Sequence, residues 1–283
     1  MRYGLEISAA GACGDARTLG NLAQLAEEVG WDGVFLEDYI IHYDPMYVRT
    51  YDPWVALAAM ALRTERIRLG TTVTPIARRR PWKLARELIT LDHLSGGRMI
   101  LGVGLGDGTE QSFTHFGEVT DPQQRAEMLD EGLDILAGLW SGQPFSYDGT
   151  HYTIREVTFL PRPVQVPRIP IWVGGSAQRK GVVRRAARWD GIVPYKGPGT
   201  TGWEDFTPDD IRLMRASIQR QRSASTPFDI AIGGRSRGDD WERERALIGG
   251  VAEAGATWWM EAIFAPDLEA MRAAIGRGPL RID

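Results

Sequence analysis

Gly30-Trp31-Asp32-Gly33-Val34-Phe35 reads as a helix end turning into a buried strand, and Arg188-Trp189-Asp190-Gly191-Ile192-Val193 repeats that turn later in the chain. Leu19, Leu22, Ala26 and Val29 stand at helical spacing within 15–29, and Gly30 ends that helix. A repeated helix-to-strand turn marks equivalent units. Working outward, short apolar runs occupy 3–8, 33–37, 66–73, 98–103, 169–173, 191–195, 228–232 and 257–263. Their near-continuous hydrophobicity suits parallel strands covered on both faces. Proline marks helix starts at Asp52-Pro53, Arg80-Pro81, Asp121-Pro122, Thr207-Pro208 and Ala265-Pro266, because a first-turn N–H has no partner to lose. Eight strand–helix units in 283 residues close most simply into an α/β fold, a single (β/α)8 TIM barrel domain over 1–283. An open doubly wound sheet is the alternative. One excursion, 141–167, lies between the fourth helix and fifth strand, and Phe145 to Tyr152 alternates around Asp148-Gly149 as a hairpin.

Composition narrows the function. With 43% hydrophobic and 25% charged residues the chain is neither disordered nor collagen-like. A net charge of −4 gives no basic excess for nucleic acid. Lys83, Lys180 and Lys196 are the only lysines among 33 basic residues. Cys13 is the sole cysteine, which fits a reducing compartment. The longest apolar stretch, Pro53 to Leu62, is far short of the roughly 20 residues of a membrane span. Arg2 to Ile7 reads as a first strand rather than a leader. The expectation is a soluble cytoplasmic protein acting on a small molecule.

In such a barrel the site lies at the C-terminal strand ends. Strand 2 ends in Glu37, Asp38, Tyr39 and His42, and strand 3 in Thr72, Val73 and Thr74, with Arg78-Arg79-Arg80 beyond. Gly104, Gly106, Asp107, Glu110 and His115 follow strand 4; Arg235 and Arg237 follow strand 7, and Glu261 strand 8. Gly174-Gly175-Ser176 after strand 5 reads two ways: backbone that admits an anion beside a helix opened by Ser176, or a tight turn with a serine cap. The Gly102-Val103-Gly104-Leu105-Gly106 run lacks the immediate helix of a dinucleotide loop. Asp38 can accept a hydrogen bond and Tyr39 can donate a proton, which makes them catalytic candidates beside His42. His93 reads as structural. No His-x-His or Cys/His cluster appears, so no metal site is expected.

The assembled pattern resembles the bacterial luciferase-like family of flavin and deazaflavin oxidoreductases. The match is carried by Ala26 to Phe35 running into Asp38, by Arg66 to Val73 followed by Arg80-Pro81, by Thr90 to Arg98 running into Leu101 to Gly104, and by Ile171 to Gly175 with Asp190-Gly191. The resemblance implies a monooxygenase or hydride-transferring oxidoreductase that binds FMN or the deazaflavin coenzyme F420. It implies a non-prolyl cis peptide near Thr72–Val73 against the ring, and phosphate contact at Gly174 and Gly175. With position added, the cofactor-binding candidates are Thr72, Val73, Gly104, Glu110, Gly174, Gly175 and Ser176. Relatives often carry histidine where Tyr39 stands, which leaves Tyr39 and His42 as candidates for its role. Leu105 replaces a glutamate found in some sugar-phosphate dehydrogenases, which disfavours that substrate.

Two other readings stand beside this one: a Schiff-base lyase using Lys196, and a non-catalytic barrel subunit. A homo-oligomer, a dimer, is expected through the helices near 52–63 and 81–94, where Trp54, Leu57, Ala58, Ala61 and Leu62 form an apolar stripe.

Overall fold

The two repeated turns do the same work. In the computed structural model, which describes residues 1–42, 48–196 and 205–282, Asp32 Oδ2 accepts from the Tyr3 N–H at 2.8 Å and Asp190 Oδ2 from the Ile171 N–H at 3.0 Å. The backbone of each aspartate also donates to the strand on one side and accepts from the strand on the other: Tyr3 and Arg68 for Asp32, Ile171 and Asp229 for Asp190. Each Trp-Asp-Gly turn is therefore a clasp across three strands.

The strands are β1 (Arg2–Ile7), β2 (Gly33–Leu36), β3 (Arg68–Pro75), β4 (Met99–Gly104), β7 (Ile171–Ser176), β8 (Gly191–Tyr195), β9 (Asp229–Arg235) and β10 (Trp258–Ala262). All pair in parallel and close in the order β1-β10-β9-β8-β7-β4-β3-β2. Between β4 and β7, β5 (Pro144–Asp148) and β6 (Thr153–Thr158) pair antiparallel outside the barrel, the expected hairpin. The eight expected strands are all present.

The outer helices are α1 (Ala16–Glu28), α2 (Pro53–Arg63), α3 (Pro81–Leu94), α5 (Pro122–Trp140), α6 (Lys180–Ala186), α7 (Pro208–Gln219), α8 (Trp241–Ala254) and α9 (Leu268–Gly276), with a short α4 (Gln111–Thr114) after β4. Asp52, Asp121 and Thr207 cap α2, α5 and α7 by accepting the first-turn N–H groups of Val55, Gln124 and Asp210, with proline next in line. Two starts differ from expectation. Pro266 does not open α9: Asp267, which accepts from the Ala270 N–H at 2.9 Å, is the cap. Ser176 does not open a helix either. It ends β7, and α6 begins at Lys180.

The barrel floor is aromatic. Phe35 stacks on Trp172 at 5.2 Å between ring centres, and Trp258 meets both edge-on. Glycine makes the room: a Cβ on Gly33 would stand 2.7 Å from the Phe35 ring, and one on Gly4 2.7 Å from Met260 Sδ. On the outside, Trp54, Leu57 and Ala61 of α2 pack into the core, so barrel packing consumes most of the stripe expected to pair two chains; Leu62 stays exposed. No helix among the described residues is long and apolar enough to cross a membrane.

The excursion is pinned against α3 and α5, outside the barrel. Fully buried Asp92 of α3 accepts from the Val164 N–H (2.8 Å), the Gln165 N–H (3.1 Å) and Gln165 Nε2 (2.8 Å). His93 Nε2 contacts the Arg162 carbonyl at 2.7 Å, a structural role as expected. Glu131 of α5 accepts from the N–H groups of Thr150, His151 and Tyr152 at the hairpin tip. Asp92→Ala should cost about 3 kcal/mol, because buried donors lose a charged acceptor. Urea unfolding checks this, and Asp92→Asn, which keeps one acceptor oxygen, should lose less.

Candidate active site

β3 departs from regular pairing where it enters the barrel mouth. Thr71 pairs with Leu101 and Thr74 with Val103, so β3 carries one extra residue, a bulge. Thr71 Oγ1 donates to the Gly102 carbonyl at 3.0 Å and receives Thr74 Oγ1 at 3.1 Å, which holds the bulge. A cis peptide joins Thr72 to Val73, at the expected position. The Val73 side chain lies between two glycines: a Cβ on Gly174 would stand 2.6 Å from Val73 Cγ1, and one on Gly104 2.7 Å from Cγ2. Those glycines thus make room for valine as well as for any ligand.

Above Val73 opens a cavity of about 520 Å³. Val73, Val193, Ala231 and Met260 give it an apolar wall, and Thr72, Gly104, Gly174, Gly175 and Ser176 also line it. Ser176 is fully buried and its Oγ has no hydrogen-bond partner among the described residues. Arg125, Arg179 and Arg185 line the same end. Arg125 Nη1 donates to the carbonyls of Leu105 (2.9 Å) and Gly106 (2.7 Å), fixing the glycine-rich loop, and Arg185 is paired with Asp130 at 2.6 Å. The helix-dipole argument for Ser176 falls, since α6 starts four residues later. Gly175 has φ +149°, and a Cβ there would stand 2.7 Å from Val182 Cγ2 of α6. A valine at Gly175 would therefore disturb that helix as well as the cavity.

A second cavity of about 510 Å³ is lined by Tyr39, His42, Asp107, Thr109 and Glu110, and Asp107 borders both. Glu110 thus sits with Tyr39 and His42 rather than with the expected cofactor set. The Tyr39 and His42 rings meet edge-on at 5.1 Å. Their loop is tied down by Ser112 Oγ, which donates to the Ile41 carbonyl at 3.0 Å, and by the His42 N–H on Thr50 Oγ1 at 3.1 Å.

Asp38 lines neither cavity. It is buried, and its carboxylate accepts from Arg79 Nε (2.8 Å) and Nη2 (2.7 Å) and from Trp54 Nε1 (3.1 Å). Arg78 donates to its backbone carbonyl. The expectation of a catalytic Asp38 gains no support from this geometry: with its oxygens engaged by Arg79 and Trp54, it ties the strand 2 end to the loop after strand 3 and to α2. Lys196 lines neither cavity and pairs with Asp210 at 2.8 Å, so nothing here supports a Schiff-base nucleophile.

One carboxyl group that reaches the mouth was missed. Glu6, the inward residue at the end of β1, lines the larger cavity. Burial pushes it up to about 6, partly offset by the Thr72 hydroxyl. Burial, with Glu6 and Glu110 close by, pushes Glu37 up to about 8, against the Ser8 hydroxyl. Glu37 Oε2 lies 3.9 Å from His42 Nε2. Burial and then the Glu37, Glu110 and Glu6 carboxyls hold the Tyr39 phenol far above its ordinary value. Glu110 is raised by burial and lowered in part by Arg78. Alternation along β1, with Gly4 and Glu6 inward, was the available signal for Glu6. For Arg125 and Arg185, on outer helices, there was none.

A (β/α)8 barrel with a bulged third strand and a two-part mouth defines the class. The sequence profile of the luciferase-like monooxygenase family matches residues 3–236, and the chain belongs to that family. It is 32% identical over 235 residues to an F420-dependent glucose-6-phosphate dehydrogenase of Nakamurella multipartita, covering 81% of this chain and 66% of that protein. An uncharacterized protein of Mycobacterium tuberculosis is 39% identical over 149 residues, 52% of this chain and 51% of that one. The chain thus spans about half the length of several curated relatives it matches. Among solved structures, an F420-dependent secondary alcohol dehydrogenase with an F420-acetone adduct superposes with TM-score 0.79 at 16% identity, covering 100% and 99% of the two chains. Monooxygenase RslO1 from Streptomyces bottropensis gives 0.77 at 23%, covering 97% and 96%. At these identities the likeness establishes the fold.

Glu37 yields a test. Its carboxyl stays protonated to about pH 8 in the folded chain and ionises near 4.5 when unfolded. Between those values unfolding releases a proton, so stability falls as pH rises through that window and levels off above it. Glu37→Gln should therefore gain thermal stability relative to the parent as pH rises from about 5 to about 8, read as the difference in Tm.

Proposed function

We propose that the chain is a flavin-type oxidoreductase that holds FMN or coenzyme F420 in the larger cavity and takes a small organic substrate from the Tyr39–His42 side. One observation carries the reading: a single cavity joins an apolar wall, centred on Val73, to a polar end where the buried Ser176 hydroxyl lacks a partner among the described residues. A buried polar group without a partner is costly, and a ligand that supplies one recovers that cost. The residues fit the cofactor: Val73, Gly104 and Gly174 would hold the ring, and Ser176 with Arg179 the phosphate. When bound, such a cofactor supplies hydride transfer or, reduced, activates dioxygen.

The chain's own groups then divide the proton work. Glu37, protonated near neutral pH, can give a proton; Glu6, raised only to about 6, is mostly ionised and can take one. Two carboxyls whose surroundings separate them in this way are the expected signature of an acid and a base. Tyr39 stays neutral and donates a hydrogen bond. Arg79 is committed to Asp38, so the substrate side is acidic and favours uncharged molecules over phosphorylated ones.

Quenching of tryptophan emission on titration with FMN and with F420 tests the reading, since Trp172 and Trp258 form the floor below the cavity. At least one should bind with Kd near micromolar, about −8 kcal/mol. Failure of both at millimolar concentration would overturn the proposal. Ser176→Ala should weaken binding by about 1 kcal/mol, roughly fivefold, with little change in the cofactor-free Tm.

A further inference from the structure

The segment that follows β4 walls both cavities: Leu105, Gly106 and Asp107 line the larger one, and Asp107, Thr109 and Glu110 the smaller. Little holds it to the barrel. Among the described residues its backbone hydrogen bonds from 107 to 118 stay within the segment, as where the Phe113 and Thr114 N–H groups donate to the Glu110 carbonyl and the Glu118 N–H to that of Phe113. Of residues 107–117 only Gly108, Ser112 and Phe113 are buried. Each end turns at a glycine in the left-handed region, Gly106 at φ +67° and Gly117 at φ +68°. Arg125 holds the carbonyls of Leu105 and Gly106, so the chain is pinned as far as Gly106 and not beyond it.

Two side chains close the segment down. Ser112 Oγ accepts from the Ile41 N–H at 3.2 Å and donates to the Ile41 carbonyl at 3.0 Å. Phe113 is fully buried yet belongs to neither apolar core cluster. The guanidinium carbons of Arg78 and Arg125 stand 5.0 and 5.2 Å from its ring centre, and a Cβ on Gly106 would lie 2.8 Å from the ring. A ring buried by cations and a bare turn, rather than by the core, can be withdrawn without opening the barrel. We propose that residues 107–116 form a flap over the smaller cavity, hinged at Gly106 and Gly117 and latched by Phe113 and Ser112, and that its lifting admits the substrate. This inference rests on the reading that the substrate enters from the Tyr39–His42 side. The flap carries Asp107, Thr109 and Glu110, so closing it brings the Glu110 carboxyl to Tyr39. Phe113 is thereby a positioning residue for that carboxyl.

Hydrogen exchange and thiol access, both on the cofactor-free protein, test the flap. In the parent, low urea should leave the exchange of the Phe113, Thr114 and His115 amides unchanged while it speeds that of β3 and β4, the mark of a local opening beside a global one. Phe113→Ala should speed exchange in the segment about tenfold or more and leave the strands within about twofold. Phe113→Leu, which keeps apolar bulk but offers the two cations no ring face, should fall between. A thiol introduced by Tyr39→Cys reports on the cavity, since Cys13 is buried. With a disulfide reagent it should react about tenfold faster or more once Phe113→Ala is added. Segment amides that follow urea in step with the strands overturn the flap, as do strands that speed up as much as the segment in Phe113→Ala. A segment that exchanges faster with no change in the thiol rate moves without gating the cavity, and overturns the inference equally. Neither measurement needs a cofactor, so failure of the cofactor titration and failure of the flap are read separately.

Discussion

The lumen of an eight-stranded barrel is only wide enough for side chains, and how that width is filled governs the rest of this structure. The lower half takes Phe35, Trp172, Trp258 and Met260, and glycine at positions 4 and 33, on the adjoining β1 and β2, leaves them room. In the upper half a single valine is driven inward by the β3 bulge, and glycines at 104 and 174 receive it. The cavity is what remains when aromatic bulk is confined below and small residues ring the mouth.

Charge is sorted across that mouth. Glu6, Glu37 and Glu110 gather under the ends of β1, β2 and β4, where burial and mutual proximity keep their protons on longer than usual. Arg125, Arg179 and Arg185 gather beyond β4 and β7. Asp38 holds Arg79 through its carboxylate, while Arg78, donating to the Asp38 backbone carbonyl, stays near enough to lower Glu110 in part. The buried Asp38–Arg79 pair thus acts on the site through what it withholds from it.

The fold was largely legible because each strand and most helix starts depend on neighbours in sequence. Asp52-Pro53 and Asp121-Pro122 state their caps locally, and the Trp-Asp-Gly turns state theirs. The failures have the same cause in reverse. Ser176 looked like a cap because serine after two glycines is a common opening, but β7 runs on through it and Arg179 takes the cap position. Asp38 reads as catalytic because a carboxylate at a strand end is well placed; the partners that engage it lie 16 and 41 residues away, and no local pattern names them. Glu6 shares its side of β1 with Gly4, and the closed barrel makes that side the lumen.

The Asp32 clasp has a consequence for the chemistry at the far end of the same strand. By gripping the Tyr3 N–H it sets the phase of β1 at its first turn of pleat. Side chains alternate strictly along a strand, so a slip of one residue would swing Leu5 into the lumen and turn Glu6 out among the helices. The proton inventory of the mouth is thereby written at the base of the barrel, by an aspartate that never approaches a reactant.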